Sequence, residues 1–157
     1  MLTKLRKFLN LNKADKLVLL KAWFLLGYYR ARILLFPFKR LTKYLEHHRQ
    51  TVEPPAVAFE QIKRAQRIGY LVSLAATVTP WQSRCLVQVL VTQRLMAAQY
   101  IPGQFYLGLH QNSRPNDEQN SLFAHAWLQC GDSVVSGAAG HEAFTAVSTF
   151  VWGARGD

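Results

Sequence analysis

Two residues in this 157-residue chain have side chains suited to acyl-transfer chemistry, Cys85 and His125. Cys85 follows the breaker Thr79-Pro80 and opens an apolar stretch, QSRCLVQVLVTQRLMAAQ, with helical spacing over 82–99. The first N–H groups of a helix have no intrahelical acceptor, and the positive end of the dipole together with Arg84 favours the thiolate, the form that attacks carbonyl carbon. His125 lies in Ala124-His125-Ala126-Trp127, within a run of period two. An imidazole on a rigid strand can take the thiol proton and later deliver it to a leaving amine. The competing reading makes Cys85 a small buried hydrophobe and His125 a satisfied strand histidine.

These residues need a helix packed on a sheet, and the surrounding pattern predicts one. Residues 57–77 carry helical spacing through Phe59, Ile62, Ala65, Ile68 and Val72. Past Ile101-Pro102-Gly103 the period switches from about 3.6 to 2. QFYLGLH (104–110) and SLFAHAWLQC (121–130) read as strands around the polar loop 112–120, and Gly131-Asp132 reads as a hairpin turn returning into SVVSG (133–137). Residues 144–152 are a last strand or helix, with neither preferred. Counting across the turn pairs Cys130 with Ser133 and Trp127 with Ser136, which sets the Ser136 hydroxyl diagonal to His125.

The order Pro80-Trp81-x-x-x-Cys85-Leu86, Tyr100-Ile101-Pro102-Gly103, a strand with Gly108, then Ala124-His125-Ala126-Trp127 and a glycine turn resembles the transglutaminase-like leader peptidases of lasso-peptide biosynthesis. The resemblance spans about residues 10–137. It implies an α+β fold with a papain/transglutaminase-like core, Cys85 as nucleophile and His125 as base. It also implies a leader peptidase acting on a ribosomally made precursor, so that a separate lasso cyclase can close the macrolactam. Lacking sequence for a winged-helix domain, the chain resembles the split form that works with a separate leader-recognition protein. The pattern breaks where an Asp or Asn usually lies about a dozen residues after the histidine, because Ser136-Gly137 stand there. Asp132 sits at the turn, on the order of 20 Å along the strand from His125, too far to replace that acid. The expectation is therefore a Cys/His dyad assisted by Ser136 or water.

Gln82 is the candidate second oxyanion donor beside the Cys85 N–H. Cys130 falls on the opposite strand face from His125 and reads as packing. His110 and His141 have no carboxylate or second thiolate at metal spacing, so no metal and no cofactor is expected, and no glycine-rich phosphate loop is present.

Composition places the chemistry. With 50% hydrophobic and 18% charged residues the chain supports one ordinary domain and excludes intrinsic disorder. Two cysteines and no signal-peptide pattern predict a reducing cytoplasm and free thiols. Residues 1–50 hold twelve Lys/Arg against Asp15 and Glu46, whereas residues 51–157 hold seven Lys/Arg and seven acids, so the whole net charge of +10 is N-terminal. The expected organisation is a basic helical segment over 1–50, a linker over 51–56 with Pro54-Pro55, and the catalytic domain over 57–157.

Within the basic segment, Asn12 to Phe36 reads as one helix, with Asn12 as N-cap, Asp15 placed for a capping box and a stop at Phe36-Pro37. Its charges are too closely spaced for a transmembrane span. Two readings stay open: a helix packed on its own domain, or an interfacial helix whose Lys and Arg reach anionic lipid or a partner protein. A short helix carrying Lys39, Arg40 and Lys43 ends near His47-His48, a solvated pair rather than a metal site. Nucleic acid is not expected, since aromatic and base-reading polar residues do not interleave there. The contrasting function is a weak or inert papain-like module that docks a membrane or protein partner through its basic helices.

Overall fold

The computed structural model describes residues 11–36, 56–81, 83–112 and 121–153, and only the backbone at 111, 112, 121 and 122. Lys4, Arg6, Lys7, the expected helix over 39–48 with His47-His48, the linker prolines, Gln82 and most of the loop over 112–120 lie outside the described residues. Three helices, α1 (Lys13–Leu35), α2 (Phe59–Ala76) and α3 (Cys85–Ala97), precede a four-stranded sheet of β1 (Gly103–Asn112), β2 (Ser121–Cys130), β3 (Ser133–Ser136) and β4 (Thr145–Trp152). All pairings are antiparallel, in the order β3-β2-β1-β4. The α+β class expected from the sequence is the class observed.

Two of the three helices begin where a side chain accepts a backbone N–H at the N-cap. Asn12 Oδ1 accepts from the Asp15 N–H at 2.7 Å, as an N-cap should. The expected reciprocal half of the box is not made, because the Asp15 carboxylate turns outward to Arg67 Nη2 on α2, at 2.7 Å. That bond is what holds the Arg67 guanidinium above its ordinary pKa. At α2 the roles reverse, and the Gln61 side chain accepts from the Ala58 N–H at 3.1 Å.

α3 is the centre of the molecule. Val87, Val89, Leu90, Val91, Leu95 and Met96 are buried around most of its circumference, as a helix apolar on every side requires. α1 and α2 cover one side of it, and β1 and β2 the other. α1 adds Leu19, Ala22 and Leu26 to the same buried cluster, so one face of this helix is packed on its own domain. From the sheet, Phe105, Leu128, Cys130, Phe150 and Trp152 enter that core. Each Val, Leu, Met or Phe side chain so removed from water contributes about 1.5–3 kcal/mol.

The segment whose type the sequence left undecided is strand β4 over 145–152, antiparallel to β1, with Phe150 stacked on Phe105 at 5.4 Å between ring centroids. The pairing count across the hairpin is corrected partway along. Cys130 pairs with Ser133 and Gln129 with Val134 as expected, but a bulge between Leu128 and Gln129 brings Ser136 opposite Leu128 rather than Trp127. An extra residue on one strand moves every later side chain to the other face. Ser136 is therefore paired with Leu128, and the ring of His125 meets the carbonyl of the following residue, Gly137.

Candidate active site

Cys85 is the first residue of α3. Ahead of it Arg84 is extended, and the Arg84 carbonyl accepts from Val87 and Gln88, so the N–H groups of Cys85 and Leu86 precede the first intrahelical bonds. The approach to the helix is knitted by side chains. Thr79 Oγ1 meets the Ala76 carbonyl at 2.9 Å, the Trp81 carbonyl at 3.0 Å and Ser83 Oγ at 3.2 Å. Gln88 Nε2 donates to the Ser83 carbonyl at 2.8 Å. Trp81 lies 5.3 Å from Trp23 of α1, over Gly27, where a Cβ would stand 3.0 Å from the Trp81 ring. The cysteine-bearing loop thus leans on the N-terminal helix.

His125 stands on β2 opposite Gly108 of β1. The glycine leaves the space that Trp127 fills, since a Cβ there would lie 2.5 Å from the indole. Phe144 lies 5.0 Å from the imidazole and Trp127 6.2 Å, so the ring is wedged between aromatic surfaces on a rigid strand. Its Nε2 lies 2.8 Å from the carbonyl oxygen of Gly137. A carbonyl can only accept, so Nε2 carries the proton and Nδ1 keeps the lone pair of a base. The orienting group expected from the sequence was the Ser136 hydroxyl; Ser136 lines the same cleft, but the acceptor on Nε2 is the next residue's backbone carbonyl. Gly137 adopts φ 72°, and a Cβ on it would lie 2.2 Å from the Ala126 carbonyl, so only glycine lets the chain cross β2 here.

Cys85 and His125 line one open cleft of about 530 Å³, bounded by Gln66, Tyr70 and Ser73 of α2, by Gln88 of α3, and by Val134 to Ala139. Gly69 sets its width, because a Cβ there would strike the Val135 carbonyl at 1.9 Å. The lining residues carry no formal charge apart from what His125 acquires. Gln88, one turn into α3 from Cys85, was not singled out from the sequence; its spacing of three places it on the same helix face. Gln82 lies outside the described residues. Asp132 is exposed at the hairpin turn and does not line the cleft.

The other candidates lie elsewhere. Cys130 is fully buried, its thiol donates to the Pro102 carbonyl at 3.4 Å, and burial pushes its pKa up to about 11. His110 packs against Phe144, and His141 is tilted against Trp127 with Nδ1 2.7 Å from the Ala138 carbonyl. Among the described residues no group of three or more His, Cys, Asp or Glu is placed to hold a metal ion.

A family model described as transglutaminase-like superfamily matches residues 32–149, most of the chain. No curated protein and no solved structure matches it.

Proposed function

Because the chain belongs to the transglutaminase-like superfamily, we propose that it is a cysteine peptidase, and that its substrate is a ribosomally made lasso precursor whose leader it removes. The observation that carries the reading is the shared cleft: a cysteine at a helix N-terminus and a strand histidine with Nδ1 available line the same opening. In the reaction, Nδ1 of His125 takes the Cys85 proton and the sulfur attacks the scissile carbonyl carbon. The oxyanion so formed is met by the Cys85 N–H at the positive end of α3. Collapse breaks the C–N bond, the imidazolium protonates the leaving amine, and a thioester remains. Water, deprotonated by His125, then hydrolyses the thioester and frees the leader carboxylate. The freed core amine is the nucleophile a separate cyclase needs for macrolactam closure.

The described partners in this reading are the precursor leader, a separate recognition protein and the cyclase. Incubation with precursor and recognition protein, read by mass spectrometry, is expected to give leader and core as two new masses, both absent with Cys85→Ala. An intact precursor with folded wild-type protein and all components present would overturn the assignment. The second reading, a weak or inert binding module, is favoured by one observation. The acceptor on His125 is a neutral carbonyl, which stabilises an imidazolium less than a carboxylate does. Alkylation of Cys85 no faster than that of a free thiol would support it.

A further inference from the structure

We propose that α1 is an in-plane anchor for an anionic phospholipid surface, docking the domain through the face it turns away from the core. α1 is apolar on both sides. Leu19, Ala22 and Leu26 are buried against α2 and α3, yet Leu17, Leu20, Phe24, Tyr28 and Leu35 remain more than half exposed, Leu35 at 75%. At 100° per residue these five and Ala31 fall within an arc of about 80°, a continuous stripe about 27 Å long.

Cations border this stripe. Lys13 is exposed at its N-terminal end, Lys21 is exposed about 20° outside its arc, and Arg32 lies beside it with its guanidinium 5.6 Å from the Tyr28 ring centroid. The acid of the helix, Asp15, points to α2, where Arg67 engages it. An apolar stripe edged by Lys and Arg is the arrangement of a helix lying in the headgroup layer, with cations reaching the phosphates. Among the described residues no helix is long and apolar enough to cross a membrane, so the contact would be parallel to the surface.

A lipid surface fits better than an acidic protein groove. A groove that receives a helix wraps much of its circumference, but half of α1 is already committed to α2 and α3, leaving one flat face. The charge agrees, because the net +10 of the chain is contributed entirely by residues 1–50. Polybasic segments gain affinity for anionic leaflets with each cation near the surface.

The test is flotation of the full chain with vesicles of phosphatidylcholine alone and of phosphatidylcholine with phosphatidylglycerol. The expected result is flotation with the anionic vesicles only, lost toward 1 M salt, where the Debye length is ~3 Å. Leu20→Gln with Phe24→Gln should lower partitioning about tenfold or more. Lys21→Glu with Arg32→Glu should lower it about fivefold for each cation removed. Both pairs change exposed side chains, and unchanged circular dichroism and Cys85 alkylation would show the fold intact. Absence of flotation with the anionic vesicles, flotation indifferent to phosphatidylglycerol, or equal flotation of folded variants and wild type would overturn the proposal. So would a soluble dimer, or capture of an acidic protein without vesicle binding, that depends on Phe24.

Discussion

Nε2 of His125 and the carbonyl oxygen of Gly137, twelve residues further along the chain, are 2.8 Å apart. The bond fixes both ring orientation and tautomer, a service that a carboxylate renders in many Cys/His and Ser/His sites. A backbone acceptor offers the same direction without the negative charge. The imidazole is therefore aimed, while the ion pair formed when it takes the Cys85 proton is less strongly favoured.

Gly137→Ala tests that relationship. The added Cβ would sit 2.2 Å from the Ala126 carbonyl at a positive φ, so the segment must shift and carry the Gly137 carbonyl away from Nε2. Cleavage should fall by about tenfold to a hundredfold in kcat with KM little changed, since the lost bond positions the base without touching substrate. Ser136→Ala, which removes a hydroxyl from the cleft wall and leaves the Gly137 carbonyl on Nε2 in place, should cost no more than about threefold. A Ser136→Ala loss as deep as that of Gly137→Ala, measured by steady-state kinetics, would return the orienting role to Ser136.

The contrast between the two residues also marks how far the sequence could be read. The Asn12 cap, the Phe36-Pro37 stop, the Thr79-Pro80 break and the change of period past Gly103 are side-chain signals, and the helices and strands fall where they predict. The bulge between Leu128 and Gln129 has no such signal: those residue types suit a regular strand equally well. One extra residue shifted Ser136 from Trp127 to Leu128, and the Gly137 carbonyl is the group that meets Nε2. A backbone acceptor is invisible in any list of side chains, although Gly137 next to a strand end is the kind of residue that permits it. The loose alternation of TAVSTFVW could not separate strand from helix because Phe150 and Trp152, its two buried anchors, are too few to define a period.

The two cysteines should behave oppositely toward iodoacetamide and pH. Cys130 is buried with its pKa pushed up to about 11, so below that pH its thiol is protonated and shielded, and labelling should fall on Cys85 alone. The same shift couples to stability. The native thiol holds its proton more tightly than the unfolded one, so the contribution is fully present below the ordinary thiol value of 9.0 and is lost as pH rises through about 11. On the order of 2–3 kcal/mol should disappear over that interval. Urea unfolding at several alkaline pH values, compared with Cys130→Ala, isolates this slope from that of Tyr106, whose burial also raises its pKa. Equal slopes in the two proteins would contradict it.

Trp23→Ala should slow chemistry that happens on a different helix. Trp23 supports Trp81 at 5.3 Å, and Trp81 belongs to the loop that delivers Cys85. The sequence places the basic segment over 1–50 outside the catalytic domain of 57–157, and this contact gives α1 a positioning role. Removing the indole should lower the Cys85 alkylation rate about threefold to tenfold and leave vesicle flotation unchanged, because Trp23 is outside the exposed stripe. An unaltered rate at unchanged fold would restrict α1 to docking.

Tyr100 provides a prediction independent of catalysis. α3 ends with the Ile101 N–H reaching back to the Met96 carbonyl at 3.0 Å, a closure that requires a left-handed residue at position 100. Tyr100 adopts φ 55° there, the only non-glycine residue among those described with a positive φ. A side chain in that region costs about 1–2 kcal/mol relative to glycine, and glycine gives back about 0.5–1 kcal/mol through its more flexible unfolded state. The tyrosine is 66% exposed, so little burial is lost on removing it. Tyr100→Gly should therefore stabilise by about 0.5–1 kcal/mol and raise Tm by about 1–4 °C. Tyr100→Ile, β-branched and hence more strained at the same φ, should lower Tm by a similar amount. Calorimetry on the pair decides the matter: a lower Tm for Tyr100→Gly than for wild type would mean that the tyrosine ring holds contacts worth more than its backbone strain.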